Sequence, residues 1–277
     1  MLQRVEERAP AKVNLCLHVL GRRTDGYHEL DSVVAFAGIA DRLIITRAPE
    51  NRLTVSGPFA AGVPLGEANI IWKTWNFLKG LSDIPEVSVE LEKNLPVASG
   101  LGGGSADAAA MLRGLARLHE IDLNDDVIAS LAKALGADVP VCYYGKACQM
   151  QGIGETIRTL SIKLPPAIVL VNPGLACETA SVFRAMGLAP GQPLKDAVTL
   201  ETPAMWRNDL TAAAITVQPV IANVLQALSQ SGLETVRMSG SGASCFGLAD
   251  SLVQAEEAAA RLGAQHRDWW VKAARLL

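Results

Sequence analysis

The sequence predicts an α+β protein built as two lobes, on three observations. Its 277 residues exceed one average domain yet are few enough for two packed lobes. The part before residue 93 reads mostly as short strands, after which a glycine-rich turn opens an alanine-rich helix. Beyond a proline pair, Pro165-Pro166, the elements read β-α-α-β-β-α-β with antiparallel pairs, the order of a small α+β sandwich. The chain is therefore cut into an N-terminal lobe, 1–162, and a C-terminal lobe, 163–277, with Lys163–Pro166 as a hinge.

Taken in order, residues 12–20 alternate. Val13, Leu15, Leu17 and Val19 are apolar, with Lys12, Asn14, Cys16 and His18 between them, so a half-buried strand is expected. A period of two places Lys12 and Asn14 on one face. Gly21–Gly26 is a polar turn, and Val33–Phe36, Leu43–Thr46 and Leu53–Val55 are further short strands. Asn69–Leu81 reads as a helix on the stripe Ile71, Trp75, Leu78, and Val87, Val89 and Leu91 mark another strand. A helix from about Ser105 buries Ala108, Met111, Leu112, Leu115 and Leu118. Asn124 caps the next, which buries Val127, Leu131 and Leu135 and stops at Gly136. The second lobe holds a strand at Ala167–Val171 and helices at Thr179–Met186 and Val220–Ser229. A strand pair around Ser239–Ala243, a helix Leu252–Leu262 and a last strand near Trp270 complete it.

Composition narrows the function. Apolar residues make up 49% of the chain, enough for a sizeable core. The net charge of -3 gives no electrostatic footprint for nucleic acid and argues against an anionic membrane surface. Five cysteines in no metal-binding or CxxC spacing read as reduced thiols. Met1–Lys12 lacks the apolar region of a signal peptide, and the longest uncharged stretch, Leu210–Leu233, is interrupted by polar residues and Pro219. A soluble cytoplasmic protein is expected, with no nucleic acid, no membrane and no protein partner implied.

The strongest local signal is Pro96-Val97-Ala98-Ser99-Gly100-Leu101-Gly102-Gly103-Gly104-Ser105-Ala106. Strand, glycine turn and helix together make an oligophosphate cradle. Glycine lets the backbone approach an anion, and the helix start presents free N–H groups and a positive dipole end. A dinucleotide fingerprint would need glycine where Ser105 stands, and a Walker A loop would need a Gly-Lys-Ser/Thr ending. His266-Arg267-Asp268 spells a protein-kinase triplet, but the chain ends before its companions, and the match is chance. On the residues alone, Asp138 reads equally as a positioned carboxylate or a helix cap, and Lys12 as a functional or a surface cation.

Pro10-Ala11-Lys12-Val13-Asn14-Leu15 and Gly21-Arg22-Arg23-Thr24-Asp25-Gly26-Tyr27-His28 precede the glycine turn. Leu135-Gly136-Ala137-Asp138-Val139-Pro140 and Gly152-Ile153-Gly154-Glu155 follow it. In this order they resemble the GHMP kinase superfamily over nearly the whole chain, most sharply before residue 155. The resemblance implies the two-lobed GHMP kinase fold, with an N-terminal lobe like domain 2 of ribosomal protein S5 and a ferredoxin-like C-terminal lobe. It implies ATP with Mg2+ as the donor system, bound along Pro96–Ala106, with Asn69 in the adenosine pocket. Asp138 would be the general base and Lys12 its cationic partner.

The Ala-Lys-x-Asn-Leu and Asp-Gly-Tyr-His segments resemble the branch whose acceptor is a cytidine diphosphate-linked methylerythritol, an intermediate of non-mevalonate isoprenoid synthesis. The resemblance implies that Tyr27 stacks on the cytosine, that His28 hydrogen-bonds to it, and that Phe183 closes its other face. By the same resemblance Asn14 would bind the diphosphate or polyol, and Thr179 would lie near the transferred phosphoryl. Without the resemblance Phe183 and Tyr27 read as core aromatics and His28 as a surface histidine. Ser239-Gly240-Ser241-Gly242-Ala243 resembles the third superfamily motif, either supporting the loop or touching ligand. Ser99 and Ala106 stand where the superfamily often has glycine and serine. Two other readings compete: a superfamily kinase for a small acid such as mevalonate or homoserine, and a binding-only regulator on the same fold.

Overall fold

The computed structural model describes residues 2–160, 162–192 and 205–277. It separates into two compact units, each assembled from several stretches of chain. The first comprises Met1–Ala11, Ile39–Val97 and Gly102–Gly145; the second comprises Lys12–Gly38, Ala98–Leu101 and Lys146–Leu277. This division by contacts differs from a single cut at 162/163. It arises because two long strands, β1 (Arg4–Arg22) and β2 (His28–Arg47), each contribute residues to both units. Where sequence suggested two short strands, Val33–Phe36 and Leu43–Thr46, β2 runs unbroken past Gly38. Nor is β1 half-buried. Ala11–Val19 are buried on both faces, Lys12, Asn14 and His18 included.

In the first unit, Arg42–Arg47 of β2 pair antiparallel with β4 (Val87–Glu92), which also takes β3 (Arg52–Ser56) in parallel. α1 (Ile70–Lys79) starts at Asn69, whose side-chain oxygen accepts the Ile71 N–H at 2.8 Å. It buries Ile71, Trp75 and Leu78 as expected. α2 (Gly103–His119) starts two residues earlier than the sequence suggested, and all five expected stripe residues are buried. It packs against α1 and against α4 (Val139–Tyr144). Asn124 caps α3 (Asp125–Ala134) through Val127 N–H at 3.0 Å. The buried residues of α3 are Ile128 and Leu131, so Val127 and Leu135 are not its core face. The six residues of α4 are too few for a period to show.

In the second unit, Leu30–Val34 of β2 pair with β5 (Cys148–Gly152), which forms a hairpin with β6 (Thr156–Thr159). The other sheet has the order β10 (Trp270–Arg275), β7 (Ala167–Asn172), β9 (Cys245–Ala249), β8 (Glu234–Met238), antiparallel throughout. Its helices are α5 (Thr179–Met186), α6 (Thr211–Val217), α7 (Val220–Ser229) and α8 (Leu252–Gln265). A sheet whose first strand lies between the third and the last, with helices in the crossovers, is ferredoxin-like. Here α6 is an addition that sequence did not reveal, separated from α7 by Gln218-Pro219. Val169, Val171, Val224, Leu228, Ala258 and Leu262 build the core under this sheet. All five cysteines are buried, and none forms a disulfide. Among the described residues, no helix is long and apolar enough to cross a membrane.

Candidate active site

The glycine-rich turn is held in place by backbone and hydroxyl contacts. Ala98, Gly100 and Gly102 have φ of 51°, 78° and 62°, a left-handed region that glycine enters most readily. Within the second unit, residues 98–101 are gripped at each position. Cys177 N–H donates to Ala98 C=O at 3.4 Å, Ser244 N–H to Ser99 C=O at 3.0 Å, and Lys12 N–H to Leu101 C=O at 2.9 Å. Ser239 Oγ donates to Gly100 C=O at 2.9 Å and accepts the Asn14 N–H at 3.1 Å. The turn Ser239–Ala243 thus supports the loop, one of the two roles left open for it. A Cβ at Gly100 would run into the backbone of Ser239 and Gly242.

In the first unit, Gly102 stands at the N-cap position of α2 and offers no side chain to cap it. The first N–H groups of a helix have no partner inside it. No acidic side chain lies in the first turn of α2 to compete for an incoming anion. Ala106 N–H is already bonded to Gly102 C=O at 2.8 Å, so Gly103, Gly104 and Ser105 carry the groups available to phosphate. Pro96 is buried and Val97 exposed. The Asn69 amide, read from sequence as part of an adenosine pocket, caps α1 and also donates to Pro64 C=O.

Lys12 and Asn14 lie side by side on β1, as their spacing implied. Lys12 is 3% exposed, and its Nζ donates to Asn14 Oδ1 at 3.0 Å. Asn14 Nδ2 donates to Ser32 Oγ at 2.8 Å, and Ser32 Oγ donates to Cys16 C=O at 2.6 Å. This chain of bonds fixes the amide of Asn14 and the direction of the ammonium. Asp138, in the first unit, occupies the N-cap position of α4, but its side chain makes no cap hydrogen bond.

Tyr27 is 60% exposed, at the end of a turn closed by Arg23 N–H to Tyr27 C=O at 2.8 Å. Phe183 carries the ring of His28 stacked on it, with centroids 4.4 Å apart and planes at 26°. The Nε2 of His28 is buried without a hydrogen-bond partner. Burial, and then the charge of Arg22, hold this imidazole below its usual pKa, so it is neutral at pH 7. Thr179, exposed at the start of α5, bonds Ser241 Oγ at 2.8 Å. Sequence reasoning missed a buried group in the first unit, Lys93 with Asp41 and Asp107. The signal was present, because each residue falls on the buried register of its own element.

Residues 69–146 match the family model for the GHMP kinases N-terminal domain, and residues 194–268 that for the GHMP kinases C-terminal domain. A 4-diphosphocytidyl-2-C-methyl-D-erythritol kinase of Paramagnetospirillum magneticum is 47% identical over 279 residues, covering 97% of each chain. A kinase of the same name from a Bradyrhizobium species is 43% identical, over 98% of this chain and 96% of its own. A crystal structure of a 4-(cytidine 5'-diphospho)-2C-methyl-D-erythritol kinase superposes with a TM-score of 0.80 at 34% identity. The alignment spans 98% of this chain and 99% of that one.

Proposed function

This chain belongs to the GHMP kinase family, and from that premise we propose that it transfers the γ-phosphoryl of ATP to the 2-hydroxyl of 4-diphosphocytidyl-2-C-methyl-D-erythritol. The products are the 2-phosphate and ADP. Full-length likeness to kinases of that name supports the reading. The observation that carries the acceptor's cytosine is His28: a neutral imidazole, stacked on Phe183, with a buried nitrogen lacking a partner. A buried polar atom without a partner is costly, and a bound base supplies one. At 4.4 Å the two rings admit nothing between them, so the base meets an outer face of the stack. Exposed Tyr27 then closes over it.

In the proposed reaction Asp138 accepts the proton of the acceptor hydroxyl as its oxygen attacks the γ-phosphorus and the bond to the β-γ bridging oxygen breaks. The N–H groups of Gly103, Gly104 and Ser105 hold the phosphates, and Lys12 meets the charge on the transferred group. Placement of Lys12 beside the loop supports this, since its own N–H binds Leu101 C=O. Asn14 and Thr179 orient the acceptor's diphosphate and polyol. Mg2+ would come with the triphosphate and neutralise part of its charge, and the half-buried Ser105 hydroxyl would help hold it.

The test is a phosphoryl-transfer assay with ATP and a panel of acceptors: the cytidylated methylerythritol, mevalonate and homoserine. Turnover confined to the cytidylated acceptor is expected. Phosphorylation of mevalonate or homoserine in its place overturns the assignment.

A further inference from the structure

Three ionisable side chains sit where apolar ones are expected. Lys93 continues the buried register of β4 after Val87, Val89 and Leu91. Asp41 precedes Leu43 and Ile45 on β2, and Asp107 lies on the buried stripe of α2. None is more than 3% exposed. Charges survive in such a place only when paired. Lys93 Nζ donates to Asp41 Oδ2 and to Asp107 Oδ2, each at 2.5 Å. The other oxygen of Asp41 accepts the backbone N–H groups of Asn94, at 2.6 Å, and Leu95, at 2.8 Å. One ammonium thereby ties β2, the chain leaving β4 and α2.

Its place matters as much as its bonds. A Cβ built on Gly103 would stand 3.3 Å from Lys93 Nζ and 3.8 Å from Asp41 Oδ2. The ammonium therefore backs directly onto the first residue of α2, behind the N–H groups that face phosphate. A buried ion cluster is a poor way to gain stability, because apolar groups of the same size often do as well. It adds direction, since each charge-assisted bond fixes one element relative to the next.

We propose that Lys93 is a positioning residue for the phosphate grip, setting the first turn of α2 through Asp41 and Asp107. The proposal rests on that turn being the phosphate cradle. Burial pushes the Asp107 carboxyl up to about 8, against the pull of Lys93. An amide at this position keeps an acceptor for the Lys93 ammonium.

The test uses the full chain and calorimetric titration with ATP and with adenosine, which lacks phosphates, beside a melting curve. Lys93→Met is expected to weaken ATP about tenfold or more, the equivalent of one misaligned donor to a charged group, and to leave adenosine binding alone. Asp107→Ala, which removes the acceptor, does the same. Asp107→Asn, which keeps an acceptor for Lys93, holds ATP within about threefold of wild type. Equal loss for ATP and adenosine overturns the proposal in favour of plain core support, as does unaltered ATP binding in Lys93→Met or Asp107→Ala. If Lys93→Met does not fold, the contrast between Asp107→Ala and Asp107→Asn decides. A wild-type chain that binds no ATP overturns the cradle itself, whereas normal wild-type binding with indifferent variants overturns the role of Lys93 alone.

Discussion

Asp138 stands at the N-cap position of α4 and makes no cap hydrogen bond there. An aspartate there usually accepts the N–H two or three residues on. In the proposed reaction this carboxylate is the base. Asp138→Asn is expected to lower turnover about 10²–10⁴-fold while ATP affinity is kept, because the amide cannot take the proton. Turnover near wild type, with the same ATP titration, removes Asp138 from the base role. Phe183 and His28 carry a second expectation. The base stacks on one outer face of the His28–Phe183 pair, a contact of about 1–3 kcal/mol, and each ring holds the other, so Phe183→Ala and His28→Ala should each raise the acceptor KM and spare that for ATP. Because the two rings touch each other, the double variant should lose less than the sum. Acceptor KM at saturating ATP is the measurement, and unchanged values in both single variants would remove the cytosine from this site. At this scale a period of two sufficed to join Lys12 with Asn14. It could not join Lys93, Asp41 and Asp107, whose registers were each legible but whose meeting depends on three elements packing.

The glycine turn shows what an element can and cannot reveal of itself. Its composition announced a phosphate cradle, and its left-handed residues are Ala98, Gly100 and Gly102. Gly103 is helical, and the limit on side chains there comes from Lys93 behind it. Gly100 has the strictest requirement, with φ of 78° and the backbone of Ser239 and Gly242 where a Cβ would go. Gly100→Ala is therefore expected to cost about 1–3 kcal/mol of stability, while Gly104→Ala, with nothing within 4 Å of its Cβ, costs far less. Urea midpoints compare the two, and equal midpoints would mean that the loop yields without strain. Long or capped elements were legible: α1 and α3 from Asn69 and Asn124, α2 from its stripe. The short helices α4 and α6 were missed, since six or seven residues hold less than two turns of a helical period, and the hairpin β5–β6 was missed as well.

Over the whole molecule, one feature lies beyond reading along the chain. The units interleave because β1 and β2 each serve both, and no compositional shift marks Ala11–Lys12 or Gly38–Ile39. Stability against pH is also a property of the whole, and here two opposed contributions meet. Burial lowers the pKa of His18, His28 and His119 from 6.5. The unfolded chain then binds protons that the fold refuses, so their contribution is full above pH 6.5 and falls as pH drops below it. Asp107 runs the other way. Its carboxyl ionises near 3.8 when unfolded and near 8 when folded, so its contribution is whole below 3.8 and is lost as pH rises to about 8. The difference in stability between Asp107→Asn and wild type cancels the histidines, which both chains share. The variant should therefore gain on wild type between pH 5 and 8, by up to about 1.4 kcal/mol per pH unit, and the gain should level off above 8. Urea unfolding of both proteins at pH 5, 7 and 9 measures it. A difference that stays flat over that range would mean that Asp107 ionises in the fold as it does in the unfolded chain, with Lys93 outweighing its burial.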